Sequence, residues 1–255
     1  MYYEEHGSPD APPLILSPGM GGSATYWLPN LGALAENYRV LLYDHRGTGR
    51  SDRKLADPVS VEQMTRDVVG LMDDLGIARA HFLGHALGGL IGLELSLEYP
   101  QRLDKLIVVN GWARVDPHFA RCFDVRLDLL RHSGPAAYLR AQPIFLYPAE
   151  WISAHDADLK SESVLQLAHF PPVENLERRI AAARSYVGLH DHLLGPILLI
   201  AAADDMLVPA HCTLELEQAI SAEPVQVANM NWGGHACNVT DPDTFNRIVL
   251  DFLRS

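Results

Sequence analysis

The stretch that most constrains the fold is "HFLGHALGGLIG", His81 to Gly92. An apolar run enters a glycine-flanked turn, and a second apolar run with helical spacing leaves it. Gly84, Gly88 and Gly89 allow a strand and the helix after it to approach closely through a strained turn, so the chain needs a sheet covered by helices. Other apolar runs repeat the pattern. "PLILS" (13–17), "RVLLYD" (39–44), "AHFLGH" (80–85), "LDKLIVVN" (103–110), "PILLIAA" (196–202) and "PVQVANM" (224–230) are short, rich in Leu, Ile and Val, and mostly lack a polar face. Buried parallel strands read this way.

Amphipathic helices are expected between the strands. Ser60 and Gln63 form a capping-box pattern before a helix whose Met64, Val68, Leu71 and Leu75 share one face. Asp241 caps a last helix, with Pro242 in its first turn and Phe245, Ile248 and Phe252 as its apolar stripe. This alternation predicts an α/β fold with a mostly parallel, doubly wound sheet and helices on both faces. It breaks between Trp112 and His192, where "ARCFDVRLDLLRHSG" and "ENLERRIAAARSYVGL" read as helix throughout. The expected division is a core of residues 1–111 and 193–255 with a helical cap of 112–192 over the carboxyl edge of the sheet, where open α/β sheets bind ligands.

Composition narrows the function. With 48% hydrophobic residues in 255, the chain can bury one large core, and its net charge of −12 opposes contact with a phosphate backbone. No nucleic-acid partner is expected. Cys122, Cys212 and Cys237 form no paired framework and are expected to be reduced. With neither an amino-terminal signal pattern nor a run long enough to span a bilayer, a soluble cytoplasmic protein without a membrane partner is expected.

The turn at 84–88 has the shape of the nucleophile elbow G-x-S-x-G, with Ala86 where the serine stands. "LIAAADDMLVP" places Asp204 and Asp205 just past one strand, and "NWGGHACN" places His235 just past the next. Asp205 is the preferred acid, and Asp204 reads as a turn or cap residue. Two backbone N–H groups, of Leu87 after the elbow and Met20 in the loop "GMGGSA", are the expected oxyanion hole. That loop also imitates a dinucleotide fingerprint, with Asp44 at a strand end, but Pro29 interrupts the helix the fingerprint needs. No cofactor is expected. His190, Asp191 and His192 resemble a metal pair without further ligands, and no metal is expected. Arg121, Arg126, Arg178 and Arg179 read as a solvated helix face from which one side chain reaches an anionic substrate at most. Trp112, Phe123, Tyr147 and Trp151 read as cap core rather than as pocket lining.

Together "LSPGMGGS", "YDHRGTGRSD", "GHALGGLIG", "DDMLVP" and "GGHACNVTDPDTF" resemble the α/β-hydrolase superfamily over the whole chain. "NGWARVDPHFARCF", "AQPIFLYPAEW" and "GGHACNVTDP" are similar to a branch of it that serves pyrimidine utilisation and is described as acting on aminoacrylate or carbamate. The resemblance implies Ala86 at the elbow, Asp205 as acid and His235 as base, and alanine as the natural residue of that branch. The expected activity is hydrolysis of a small, labile, anionic C–N compound without a serine nucleophile. Two alternatives stay open: an ester or acyl hydrolase whose serine was engineered to Ala86, and a binding protein with no catalysis. The sequence sets no oligomeric state.

Overall fold

The computed structural model describes residues 1–55, 58–221 and 224–255. Among the described residues, seven strands form one sheet in the order β1-β3-β2-β4-β5-β6-β7. They are β1 (Tyr3–His6), β2 (Pro13–Ser17), β3 (Arg39–Tyr43), β4 (Ala80–His85), β5 (Leu103–Val109), β6 (Ile197–Ala202) and β7 (Val225–Met230). Strands β2 to β7 pair in parallel, and β1 adds an antiparallel edge on β3. Strands β2 to β6 are mostly apolar because helices cover both faces, whereas β7 at the edge is half-buried, with Gln226 and Asn229 exposed. Leu14, Leu16, Val40, Leu42 and Leu83 pack on one face, and Ile15, Leu41, Phe82, Leu106 and Val108 pack on the other.

The helices are α1 (Leu28–Ala35), α2 (Val61–Asp74), α3 (Leu87–Glu98), α4 (Pro117–Leu146), α5 (Ala149–Ala154), α6 (Asp156–Ala168), α7 (Val173–Ser185), α8 (Ala210–Ala219), α9 (Cys237–Thr240) and α10 (Pro242–Arg254). Ser60 caps α2 by accepting from the Gln63 N–H at 3.2 Å, while the Gln63 side chain bonds Asp67 instead. Asp241 caps α10 through the Thr244 N–H at 3.2 Å. The apolar stripe of α10 is wider than expected: Phe245, Val249, Phe252 and Leu253 are buried, and Ile248 is half-buried. Helices α4 to α7 all lie between β5 and β6. Gly134, at φ 79°, and Pro135 break α4 into two arms, since that backbone conformation suits glycine and the proline lacks an N–H.

The topology puts a crevice beside β2. From β2 the chain passes through α1 to β3 on one side, whereas from β4 it passes through α3 to β5 on the other. Ligands of open α/β sheets bind at such a switch point, outside the carboxyl ends of the strands. Ser17 pairs with Gly84, His85 with Val109 and Ala202 with Met230. The loops that follow β2, β4, β5, β6 and β7 are therefore brought to one edge.

Candidate active site

Ala86 sits at φ 49° and ψ −110°, immediately before the first residue of α3. Few non-glycine residues hold such a conformation, and it costs on the order of 1–3 kcal/mol. It is held by the Ala86 N–H bonded to the Val109 carbonyl at 2.8 Å and by the Leu90 N–H bonded to the Ala86 carbonyl at 3.1 Å. The flanking glycines make the turn possible. A Cβ on Gly84 would strike the backbone of Gly88, and one on Gly88 would strike the carbonyl of Ser17. Leu87 thus opens a helix, and the first N–H groups of a helix have no partner within it.

The loop after β2 has its carbonyls drawn away from the site. The His45 Nε2–H donates to the Pro18 carbonyl at 2.9 Å, the Gly22 N–H to Gly19 at 3.0 Å, and the His45 N–H to Gly22 at 2.8 Å. The Met20 carbonyl accepts from Arg179 at 2.8 Å. Because a trans peptide points its C=O and N–H in opposite directions, the bond at Gly19 turns the Met20 N–H out of the loop. Burial, and then the positive charge of Arg179, push the pKa of His45 down to about 3, so this donor stays neutral. Asp44, the residue of the imitated fingerprint, accepts from the Ala24 N–H and pairs with Arg50. Pro29 lies in the first turn of α1, well past the glycines.

The acid and histidine meet at the same edge. Asp205 Oδ2 lies 2.7 Å from His235 Nδ1, and both side chains are buried. A carboxylate only accepts, so Nδ1 carries the proton and His235 Nε2 is left as the basic atom. Asp205 Oδ1 accepts from the N–H groups of Leu207 and Val208, at 2.7 and 2.9 Å, which fixes the carboxylate from behind. Asp204 is not a cap of its own loop. It accepts from the Gly233 and Gly234 N–H groups at 3.3 and 2.8 Å and ties the acid loop to the histidine loop.

Three contributors escape a reading of the sequence. Asn110, at φ 50°, donates to the His235 carbonyl at 2.8 Å and accepts from the Ala202 N–H at 3.2 Å. Its place at the end of β5, where the other loops converge, was the available signal. His85 Nε2 donates to the same carbonyl at 2.8 Å, with its ring 4.6 Å from that of His235. Burial, and then the neighbouring His235, push the pKa of His85 well below the ordinary value. The third is the Leu146 carbonyl at the end of α4, which accepts from the Ala236 N–H at 3.0 Å.

The cap arginines divide, which corrects the expectation of one solvated face. Arg121 and Arg178 are exposed, but Arg126 and Arg179 are buried. Burial lowers the pKa of Arg179 to about 10. Trp112 and Phe123 are buried against Phe119, and Trp151 stacks between Tyr147 and His155. His190 is buried, while Asp191 and His192 are exposed. Among the described residues, the one metal-type grouping is Asp116, His211 and Cys212, with ligand atoms within 4.8 Å of one another. It lies outside the His235 site, and Asp116 there caps α4 and pairs with His211. A cavity of about 370 Å³ opens beside His45, Lys54, Gln63, Asp67 and Arg179, and its lining includes neither Asp205 nor His235.

A parallel sheet with a switch point, a strained strand-to-helix turn at its carboxyl edge, and a carboxylate and histidine from the two last strands define an α/β hydrolase. Comparison agrees: the family described as "alpha/beta hydrolase fold" matches residues 12–132. "Putative carbamate hydrolase RutD" of Caulobacter sp. (strain K31) is 50% identical over 99% of this chain and 95% of its own length. The protein of the same name from Stutzerimonas stutzeri is 49% identical over 99% and 96%. A solved enol-lactonase from Burkholderia xenovorans LB400 superposes with a TM-score of 0.89 at 28% identity, covering 100% of this chain and 96% of the lactonase. The chain belongs to the α/β-hydrolase family and, within it, to the group of the RutD proteins. No helix among the described residues is long and apolar enough to cross a membrane.

Proposed function

We propose that this protein is a cytoplasmic hydrolase of a small labile C–N compound in pyrimidine catabolism, acting without a serine nucleophile. Its core is residues 1–111 and 193–255, and residues 112–192 form a cap that encloses the substrate. Carbamate, which would yield ammonia and CO₂, is the substrate named for the relatives. Aminoacrylate, which would take up water to yield ammonia and malonic semialdehyde, is the alternative of the same class.

The observation that carries this reading is the 2.7 Å bond between Asp205 and His235 at the strand edge where Ala86 occupies the elbow. Asp205 orients the imidazole and stabilises its charged form. His235 Nε2 takes a proton from water and delivers it to the departing nitrogen. The Met20 and Leu87 N–H groups hold negative charge on the substrate at the start of α3, an arrangement that favours anions. A methyl at position 86 leaves room for a water where a serine hydroxyl would stand. Magnitudes agree with this division of labour. Loss of a nucleophile leaves roughly 10³ to 10⁴ over water from the rest of such a site, too little for a stable amide but enough for a compound that decomposes unaided.

The test is ammonia release by the native protein and by His235→Ala, with carbamate and with aminoacrylate generated in the assay. The variant is expected to lose roughly 10² to 10⁴ in rate. Equal rates would remove the histidine from the chemistry.

A further inference from the structure

Helix α4 carries a buried cation to which the described residues supply no counter-ion. Arg126 is 4% exposed, and no carboxylate among the described residues pairs with it. One nitrogen donates to the Tyr138 hydroxyl at 2.6 Å, Nε has no partner, and Cζ lies 5.2, 5.0 and 5.5 Å from the ring centroids of Phe123, Tyr138 and Phe145. Taking a guanidinium out of water is costly unless an anion pairs with it, and three ring faces with one neutral hydroxyl offset only part of that cost. The guanidinium has five donors in a planar fork that matches a carboxylate, and Tyr138, which accepts from Arg126, keeps its own hydrogen to donate.

The position of this cation is informative. His118, Cys122 and Arg126 follow one another at four-residue spacing and share a face of α4. His118 Nε2 donates to the Met206 carbonyl at 2.8 Å, and Cys122 Sγ lies 3.7 Å from the same oxygen, next to Asp205. Phe145, whose ring centroid lies 5.5 Å from the guanidinium, precedes Leu146, whose carbonyl holds the Ala236 N–H next to His235. The helix that carries Arg126 thus contacts both segments that flank the Asp205–His235 pair.

We propose that Arg126 is a specificity-determining residue that anchors a carboxylate at the end of the substrate remote from His235. This rests on the hydrolytic reading above and deepens it. In carbamate the only carboxylate is itself the reacting group, and it cannot occupy the anchor and the reaction centre together. A short unsaturated acid with its amino group and its carboxylate at opposite ends engages both, with the carboxylate at Arg126 and the negative charge that develops on the oxygen added from water at the Met20 and Leu87 N–H groups. The anchor therefore selects acids of the aminoacrylate type over carbamate, and excludes neutral amides of the same length.

The experiment is calorimetric titration of the full chain with acrylate, a stable acid lacking the labile nitrogen, and with acrylamide as its neutral counterpart, beside ammonia-release kinetics. Acrylate is expected to bind the native protein and to bind Arg126→Gln roughly ten- to a hundredfold more weakly, the range for losing hydrogen bonds to a charged group. Acrylamide is expected to bind neither. In turnover of aminoacrylate, Arg126→Gln raises KM far more than it lowers kcat, which a merely structural loss would not do. Arg126→Lys, which keeps the charge without the fork, falls between; if the glutamine variant does not fold, the lysine variant carries the same comparison. Acrylate affinity and KM within twofold of native in the folded variants would overturn the anchor while leaving the hydrolytic reading intact. Acrylate binding that depends on Arg126, with no ammonia released from either substrate, would sink the hydrolytic reading and leave the anchor standing.

Discussion

The turn at Ala86 and the loops carrying Asp205 and His235 stand at one edge of one sheet, yet they are complete in different ways. At the turn, everything that the backbone supplies is present: a strained φ of 49°, close-packed glycines and the start of a helix. What is missing is a side-chain hydroxyl. In the loops the side chains are fully engaged, with Asp205 accepting three bonds, Asp204 two, and the His235 carbonyl held by both Asn110 and His85. On the proposed function the difference is chemical. Backbone donors and a supported imidazole suffice to hold an anion and move protons, whereas covalent attack requires the one atom that the turn lacks.

The strongest way to break this contrast is Asp205→Asn. The amide oxygen can still accept from Leu207 and Val208, so the loop keeps its shape, but an NH₂ group would face His235 Nδ1 and force the other tautomer. Ammonia release is expected to fall by roughly a hundredfold or more, with a melting temperature close to native. An active Asn variant would show that the carboxylate only braces its loop. Asp205→Ala, which removes all three bonds, should also lose stability, by about 1–3 kcal/mol per buried donor left unpaired. Thermal melts of the two variants side by side separate chemistry from support.

Restoring the missing atom sharpens the contrast from the other side. Ala86→Ser places a hydroxyl at the head of α3 on the same edge as His235. With an activated ester such as p-nitrophenyl acetate, a rapid burst of one p-nitrophenolate per chain is expected as the serine takes the acetyl group, followed by slow turnover as water removes it. Ammonia release should fall, since the hydroxyl takes the place proposed for water. Absence of a burst would mean that His235 Nε2 does not face position 86, and the elbow would be one in backbone shape only.

What could be read before folding follows the same divide between backbone pattern and tertiary surroundings. Strands β2 to β6 were legible because burial on both faces leaves a largely apolar run, and β7 through Val225, Val227 and Met230 despite its half-exposed place at the edge. Strand β1, Tyr-Glu-Glu-His, has no such run and exists because its backbone pairs with β3 at a half-exposed edge. The order of elbow, carboxylate and histidine was legible because each follows its own strand. The sequence preferred Asp205 to Asp204, and the structure has Asp205 bonded to the His235 ring and Asp204 to the backbone of the histidine loop. Arg126 and Arg179 looked like surface residues because arginine usually is one, and no periodicity reports that three aromatic rings or a loop carbonyl will enclose a guanidinium. Asn110 was overlooked for a similar reason: its two bonds go to residues 92 and 125 positions away, and only its place after β5 pointed to the site.

The smallest expected effect tests whether strain at the turn serves the site. Ala86 buries only a methyl group, while holding a φ of 49° that glycine tolerates without penalty. Replacing it with glycine relieves steric cost on the order of 1–3 kcal/mol and adds about 0.5–1 kcal/mol of chain entropy lost on folding. The variant should therefore melt at or slightly above the native temperature. Ammonia release should change by no more than a few-fold, because the Leu87 N–H stays where the Val109 and Leu90 bonds place it. A drop of many degrees would show that the methyl contributes packing and that the turn is relaxed as it stands. In that case its geometry follows from the β4–α3 connection alone, and the two regions differ in origin as well as in chemistry.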